Sequence, residues 1–207
     1  MKLIKQFKEF IGSQYSNPSG LLGMYIGEKM VKQHVPETLW TIKLLELQQD
    51  EKILELGCGA GYAIKLLLKQ SSVNQVVGLD ASKSVLQSAT IRNQKEIRDR
   101  RVKLIQSNVN NLVFQDGSFT KVFSIHSIYF WENLLKTISE IYRVLKPEGT
   151  VIITLCDGKN GQTSNDTKDM IEQQVIPIMG QSGFKNIEIL RGPNSREFHT
   201  VSIRAEK

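Results

Sequence analysis

The residues with the clearest chemical purpose are Glu55, Gly57, Gly59 and Gly61, in the run Glu55-Leu56-Gly57-Cys58-Gly59-Ala60-Gly61. An apolar stretch, 52–56, ends at the first glycine, and a helix-forming stretch begins near Ala60. Glycines at alternate positions open backbone conformations that a β-carbon forbids and let a ligand lie close to the chain. Asp80 stands 19 residues beyond Gly61, at the end of the next apolar run. A carboxylate placed there can accept from both hydroxyls of a ribose. Loop and acid together predict an adenosine-containing ligand.

The spacing is G-x-G-x-G, not the G-x-G-x-x-G of a dinucleotide fingerprint, and Glu55 stands two residues before the first glycine. A carboxylate there opposes a pyrophosphate seated on the following helix. It suits a ligand bearing an ammonium and a sulfonium, which favours S-adenosylmethionine over NAD. No Gly-Lys-Ser/Thr closes a P-loop.

A second cluster, Ser124-Ile125-His126-Ser127-Ile128-Tyr129-Phe130-Trp131, follows another apolar run. It is expected beside the reactive end of such a ligand. His126 is the candidate general base, because an imidazole titrates near neutral pH. Tyr129 and Trp131 are candidate walls of an acceptor pocket, with Tyr15 and Tyr25 joining them from the N-terminal region. The Asn/Asp-Pro-Pro-aromatic motif of base-amino methylation is absent. Asp157 lacks evident carboxylate partners, and the three histidines are far apart in sequence, so no metal is expected. Neither cysteine reads as a nucleophile: Cys58 is a small loop residue, and Cys156 lacks a preceding proline.

These residues need a scaffold. Strands are expected at 52–56, 75–79, 102–106, 121–125, 150–155, 184–190 and 198–204, from short Val- and Ile-rich runs bounded by turn residues. Helices are expected at 83–98, with Ser82 as N-cap, at 132–145 with Leu134, Leu135, Ile138 and Ile141 on one face, and at 165–181. Strands separated by helices predict an α/β, three-layer sandwich on a mostly parallel sheet. The short link before residue 198 predicts an antiparallel final hairpin. Residues 1–50 read as a helical lid that selects substrate, with Leu3, Ile4, Phe7, Phe10 and Ile11 on one side of a short helix; residues 51–207 read as the ligand-binding domain.

The chain has 207 residues, about one domain by length. Two cysteines give no disulfide framework, and no apolar run of membrane-spanning length or secretory leader is visible. A cytoplasmic protein is expected. Net charge is +6, of which residues 92–103 supply +4. One local cluster reads as a solvated face, so nucleic acid is disfavoured as a partner.

Four segments in order resemble the class I S-adenosylmethionine-dependent methyltransferases, within them the ubiquinone/menaquinone-biosynthesis-like (type 11) group: ELGCGAG at 55–61, VVGLDAS at 76–82, SNVNNLVFQDGSFTKVFSI at 107–125 and ISEIYRVLKPEGTVIIT at 138–154. The resemblance implies a Rossmann-like, seven-stranded sheet with the last strand antiparallel. It implies that Glu55, Gly57, Gly59 and Gly61 surround the methionine part of the cofactor, with Cys58 in the same cofactor-binding loop, that Asp80 binds its ribose, and that Ala81, Asn108 and Val109 line the adenine slot. Ser124 joins the cofactor-binding set. The expected reaction is in-line methyl transfer to a small molecule, leaving S-adenosylhomocysteine. An RNA methyltransferase using residues 92–103, or a non-catalytic cofactor-binding subunit, are the alternatives.

Overall fold

In a computed structural model, residues 19–70 and 72–207 are described. The residues expected to form the first lid helix, and Tyr15, lie outside them. Helices α1 (Gly20–Gln33) and α2 (Val35–Leu44) precede strand β1 (Glu51–Leu56). Then follow α3 (Tyr62–Leu67), β2 (Val73–Asp80), α4 (Lys83–Arg92), α5 (Gln94–Arg98), β3 (Val102–Gln106), β4 (Phe119–Ile125) and a 3-10 turn at Ile128–Phe130. The C-terminal half adds α6 (Leu134–Val144), β5 (Leu145–Lys159), β6 (Gln162–Thr163), α7 (Asn165–Asp169), a π turn at Met170–Val175, α8 (Ile176–Gln181), β7 (Lys185–Arg191) and β8 (Phe198–Glu206).

The sheet order is β3-β2-β1-β4-β5-β8-β7. Strands β1 to β5 pair in parallel, whereas β8 runs antiparallel to both β5 and β7. Alternate residues of the central strands enter two cores. Leu54, Val122 and Ile153 pack with Ile138 and Ile141 of α6 and Met179 of α8. Ile53, Phe123 and Ile152 pack with Ile64 and Leu67 of α3 and with Ile42 of α2. A parallel sheet covered on both faces needs such continuous apolar strands. Because Ile42 and Leu45 belong to this core, α2 and the turn after it are part of the same packing unit.

Three elements depart from expectation for local reasons. The helix at 83–98 breaks at Asn93, whose amide donates to the carbonyls of Gly61 and Ala89, both at 3.0 Å, drawing the chain out of regular helix. The helix at 165–181 widens into a π turn before Pro177, a residue that supplies no amide donor. Strand β5 runs on to Lys159 and folds back onto β6 instead of entering a loop. Asn160 and Gly161, with φ of 52° and 78°, form the primed turn that Asn-Gly favours. In α6, Leu135 faces solvent and not the core.

The sheet order reverses direction between β1 and β4. Ligands of open α/β sheets bind beyond the carboxyl ends of the strands at such a switch point. The loops after β1, β2, β3 and β4 all leave that edge.

Candidate active site

The glycine loop after β1 is held in place from beneath. The Leu79 carbonyl accepts from the amides of Gly57 (2.8 Å) and Cys58 (3.0 Å). Asp80 accepts from the amides of Gly59 (Oδ2, 2.9 Å) and Ser82 (Oδ1, 2.8 Å). On the outer side, Arg92 donates to the Ala60 carbonyl and pairs with Glu28 of α1.

The three glycines have different jobs. At Gly57 (φ 72°) a β-carbon would lie 2.4 Å from Ser127 Cβ, so protein packing demands the glycine. At Gly59 (φ 51°) a β-carbon would meet nothing within 4 Å. The space above Gly59 is therefore open to a ligand. Gly61 faces Ala89 and Asn93, and it is absent from the cavity lining.

A cavity of about 210 Å³ lies over this loop. Glu55, Gly57, Cys58, Gly59, Asp80, Ala81, Asn108 and Val109 of the expected set line it. Ser124 does not line it: the side chain is buried, with its hydroxyl 2.6 Å from that of Ser127. Ser127 takes the lining position, and its hydroxyl also meets the Leu56 carbonyl and the Trp131 indole nitrogen.

Two carboxylates share this cavity. Glu55 is buried, and its Oε2 has no hydrogen-bond partner among the described residues. Burial, with the Asp80 charge in addition, pushes its carboxyl well above the ordinary range. Burial also raises Asp80, against the lowering effect of amides from Ser82, Gly59 and Ala81. Burial and these two acids push the Cys58 thiol up, which leaves it protonated and a poor nucleophile. Burial likewise takes Cys156 up to about 11.

A second cavity, of about 670 Å³, adjoins the first, and Met30, His34, His126 and Phe130 line both. Tyr129 lines the second cavity, its hydroxyl fixed by the backbone of Cys156 at 2.7 and 2.9 Å. Trp131 lines the first cavity. Tyr25 lines neither; it is 67% exposed on the outer side of α1.

His126 sits where the cavities meet, with φ of 56°. Its ring centroid is 4.3 Å from that of His34. Beneath both lies Glu37, fully buried in the first turn of α2. Glu37 Oε1 is 3.6 Å from His34 Nδ1, 3.9 Å from His126 Nε2 and 3.6 Å from a guanidinium nitrogen of Arg196. Burial disfavours the Glu37 charge, but contacts to His126 and His34 outweigh it and hold the carboxyl well below its usual range. Burial lowers the His126 pKa and Glu37 partly opposes this, so the imidazole is neutral at neutral pH. Ligand atoms of His34, Glu37 and His126 lie within 4.8 Å of one another, a set able to hold a divalent cation. Arg196, 3.2 Å from His34 Nδ1, already supplies positive charge there.

Sequence reading missed Glu37, His34 and Arg196. In sequence Glu37 is an ordinary acid at a helix start, and 89 residues separate it from His126; only the fold joins them. Lys159, Gln162 and Thr163, which line the second cavity, had a usable signal in the Asn160-Gly161 turn.

The methyltransferase domain family matches residues 54–153. The chain is 30% identical to the uncharacterized methyltransferase YdaC of Bacillus subtilis (strain 168), over 80% of this chain and 89% of that one. It is 26% identical to the demethylmenaquinone methyltransferase of Lactococcus lactis, over 89% of this chain and 71% of the relative. Its fold superposes on a SAM-dependent methyltransferase from Aquifex aeolicus with a TM-score of 0.71 at 17% identity, covering 88% and 97% of the two chains. With strand order, glycine loop and family match in agreement, the chain belongs to the methyltransferase domain family, the class I S-adenosylmethionine-dependent methyltransferases.

Proposed function

We propose that this enzyme moves a methyl group from S-adenosylmethionine to a small-molecule acceptor seated in the second cavity. One observation carries the reading: the cavity over the glycine loop opens beside His126 onto a second cavity with which it shares a wall. The bound cofactor supplies an activated methyl on a sulfonium, with a neutral thioether as leaving group.

The chain's own residues fit that ligand. The unpaired Oε2 of Glu55 suits an ammonium, and the open space above Gly59 admits ligand atoms against the backbone. Each Asp80 oxygen spends one lone pair on a backbone amide and keeps another for a ribose hydroxyl. Asn108 Oδ1 accepts from the Asn110 amide at 3.0 Å and retains capacity for an adenine amino group, with Ala81 and Val109 as slot walls.

At the reacting end His126 takes the acceptor's proton. Glu37 lies on the Nε2 side of its ring, which leaves Nδ1 as the accepting atom. Alignment in a dry pocket is the larger contribution, since positioning is worth about 7–11 kcal/mol in favourable cases. The Lactococcus relative is named for a quinone precursor, which supports a small acceptor. In the basic segment Arg92 is paired with Glu28 and Arg101 donates to the Val73 carbonyl at 2.8 Å, whereas Lys95, Arg98, Arg100 and Lys103 are exposed.

The test is transfer of labelled methyl from S-adenosylmethionine into a fractionated cell extract. Label in the small-molecule pool is expected. Label confined to RNA or protein contradicts the reading.

A further inference from the structure

The second cavity has a charge character that narrows the acceptor. No aspartate or glutamate lines it among the described residues, whereas Lys159 and Arg196 both do. The two cations share one aromatic ring: Lys159 Nζ lies 5.0 Å and the Arg196 guanidinium carbon 5.6 Å from the Phe198 centroid. Stacking on a ring holds such side chains in place at small entropic cost. Both cations therefore border the same ring in the cavity wall, where they favour an anionic ligand.

The backbone maintains this placement at a cost. Arg196 and Glu197 both have positive φ, 49° and 68°, and Ser195 and Phe198 exchange backbone hydrogen bonds at 2.8 and 2.9 Å. This is a primed turn, for which Asn-Gly would be unstrained. Arginine and glutamate here hold a left-handed backbone that disfavours residues with a β-carbon. Strain retained in this way points to a functional placement. The turn brings Arg196 over the wall shared by the two cavities, 3.2 Å from His34 Nδ1, while Glu37 behind it balances only part of the local positive charge. Phe198, Tyr129, Phe130 and Met30 supply apolar surface in the same cavity. Its volume, about 670 Å³, lies within the usual range for small-molecule sites.

We infer that the acceptor is an organic acid, a small molecule with an apolar or aromatic body and a carboxylate or phosphate group held by Arg196 and Lys159. The inference deepens the methyl-transfer reading and rests on it for the word acceptor. Arg196 is the stronger anchor, because its fork can engage a carboxylate or phosphate with two parallel bonds. Lys159 adds a point charge. With the acid fixed at that end, the remainder of the molecule extends past His34 to His126.

Titration calorimetry on the full chain saturated with S-adenosylhomocysteine tests this, with phenyl phosphate, phenylacetate and 2-phenylethanol as probes. At least one acid should bind about tenfold more tightly than the alcohol, in keeping with a charge-assisted bond. Arg196→Gln should weaken that acid by about fivefold or more, and Lys159→Met by a smaller factor. The stronger of the two acids distinguishes a phosphate-bearing from a carboxylate-bearing acceptor. Equal binding of all three probes, no binding of either acid at millimolar concentration, or acid binding untouched by both substitutions would overturn the inference. The saturating titration reports separately on the methyltransferase reading. If S-adenosylhomocysteine itself fails to bind, that reading fails, and the acids can still be titrated into the ligand-free chain.

Discussion

Glu55 and Glu37 are both buried acids, and their surroundings drive them in opposite directions. Glu55 has an unpaired oxygen and a second acid nearby, and burial favours its protonated form. A cationic ligand reverses the balance, because it favours the ionised carboxylate. Binding of S-adenosylhomocysteine should therefore release a proton, and affinity should rise with pH until the raised Glu55 pKa of the free chain is passed. Calorimetry in buffers of different ionisation enthalpy measures this directly; proton uptake would contradict the assignment. Glu37 is held ionised by its histidine neighbours and in turn supports the His126 pKa against burial. In Glu37→Gln that support is lost, so the His126 pKa falls further. The acid limb of the kcat–pH profile should move to lower pH, and the plateau rate should drop because the base is weaker. A limb that stays in place would remove His126 from the role of base.

Among the elements, the β1–α3 loop is the most tightly specified. Gly57 combines a left-handed φ with a β-carbon site 2.4 Å from Ser127 Cβ. Gly57→Ala should cost about 2–4 kcal/mol, from overpacking and backbone strain together, measured as loss of unfolding free energy in urea. An unchanged midpoint would show that Ser127 and its hydrogen bonds can give way. Much of this scaffold was legible from sequence. The Val- and Ile-rich runs and the glycine spacing located every long strand, and Ser82 caps α4 as its type predicts, accepting from the Val85 amide at 3.4 Å. The break at Asn93 was not legible, because it depends on the Gly61 carbonyl 32 residues away. The packing of Gly61 against Ala89 and Asn93, and of the Ser124 hydroxyl against that of Ser127, likewise depends on residues distant in sequence or on local folding. The surroundings of the second cavity were the least legible part. His34 and Glu37 at the start of α2, His126 after β4 and Arg196 before β8 come from three separate segments, and no local pattern announces a cluster of that kind.

At the scale of the whole molecule, the sheet reversal between β1 and β4 brings four loop ends to one edge, and α1 and α2 close that edge with Met30, His34 and Glu37. No helix among the described residues is long and apolar enough to cross a membrane. Of the basic side chains behind the net charge of +6, Arg92 and Arg101 brace the sheet and loop, while Lys159 and Arg196 border the second cavity. The central claim is that the cavity over the glycine loop holds the methyl donor, with Asp80 on its ribose. The most direct measurement is calorimetric binding of S-adenosylhomocysteine to the wild-type chain and to Asp80→Asn, with NAD as the competing ligand. The account predicts one site for S-adenosylhomocysteine, affinity lower by about tenfold or more in the variant, and no binding of NAD. Near-equal affinity in the two proteins, or preference for NAD, would contradict it.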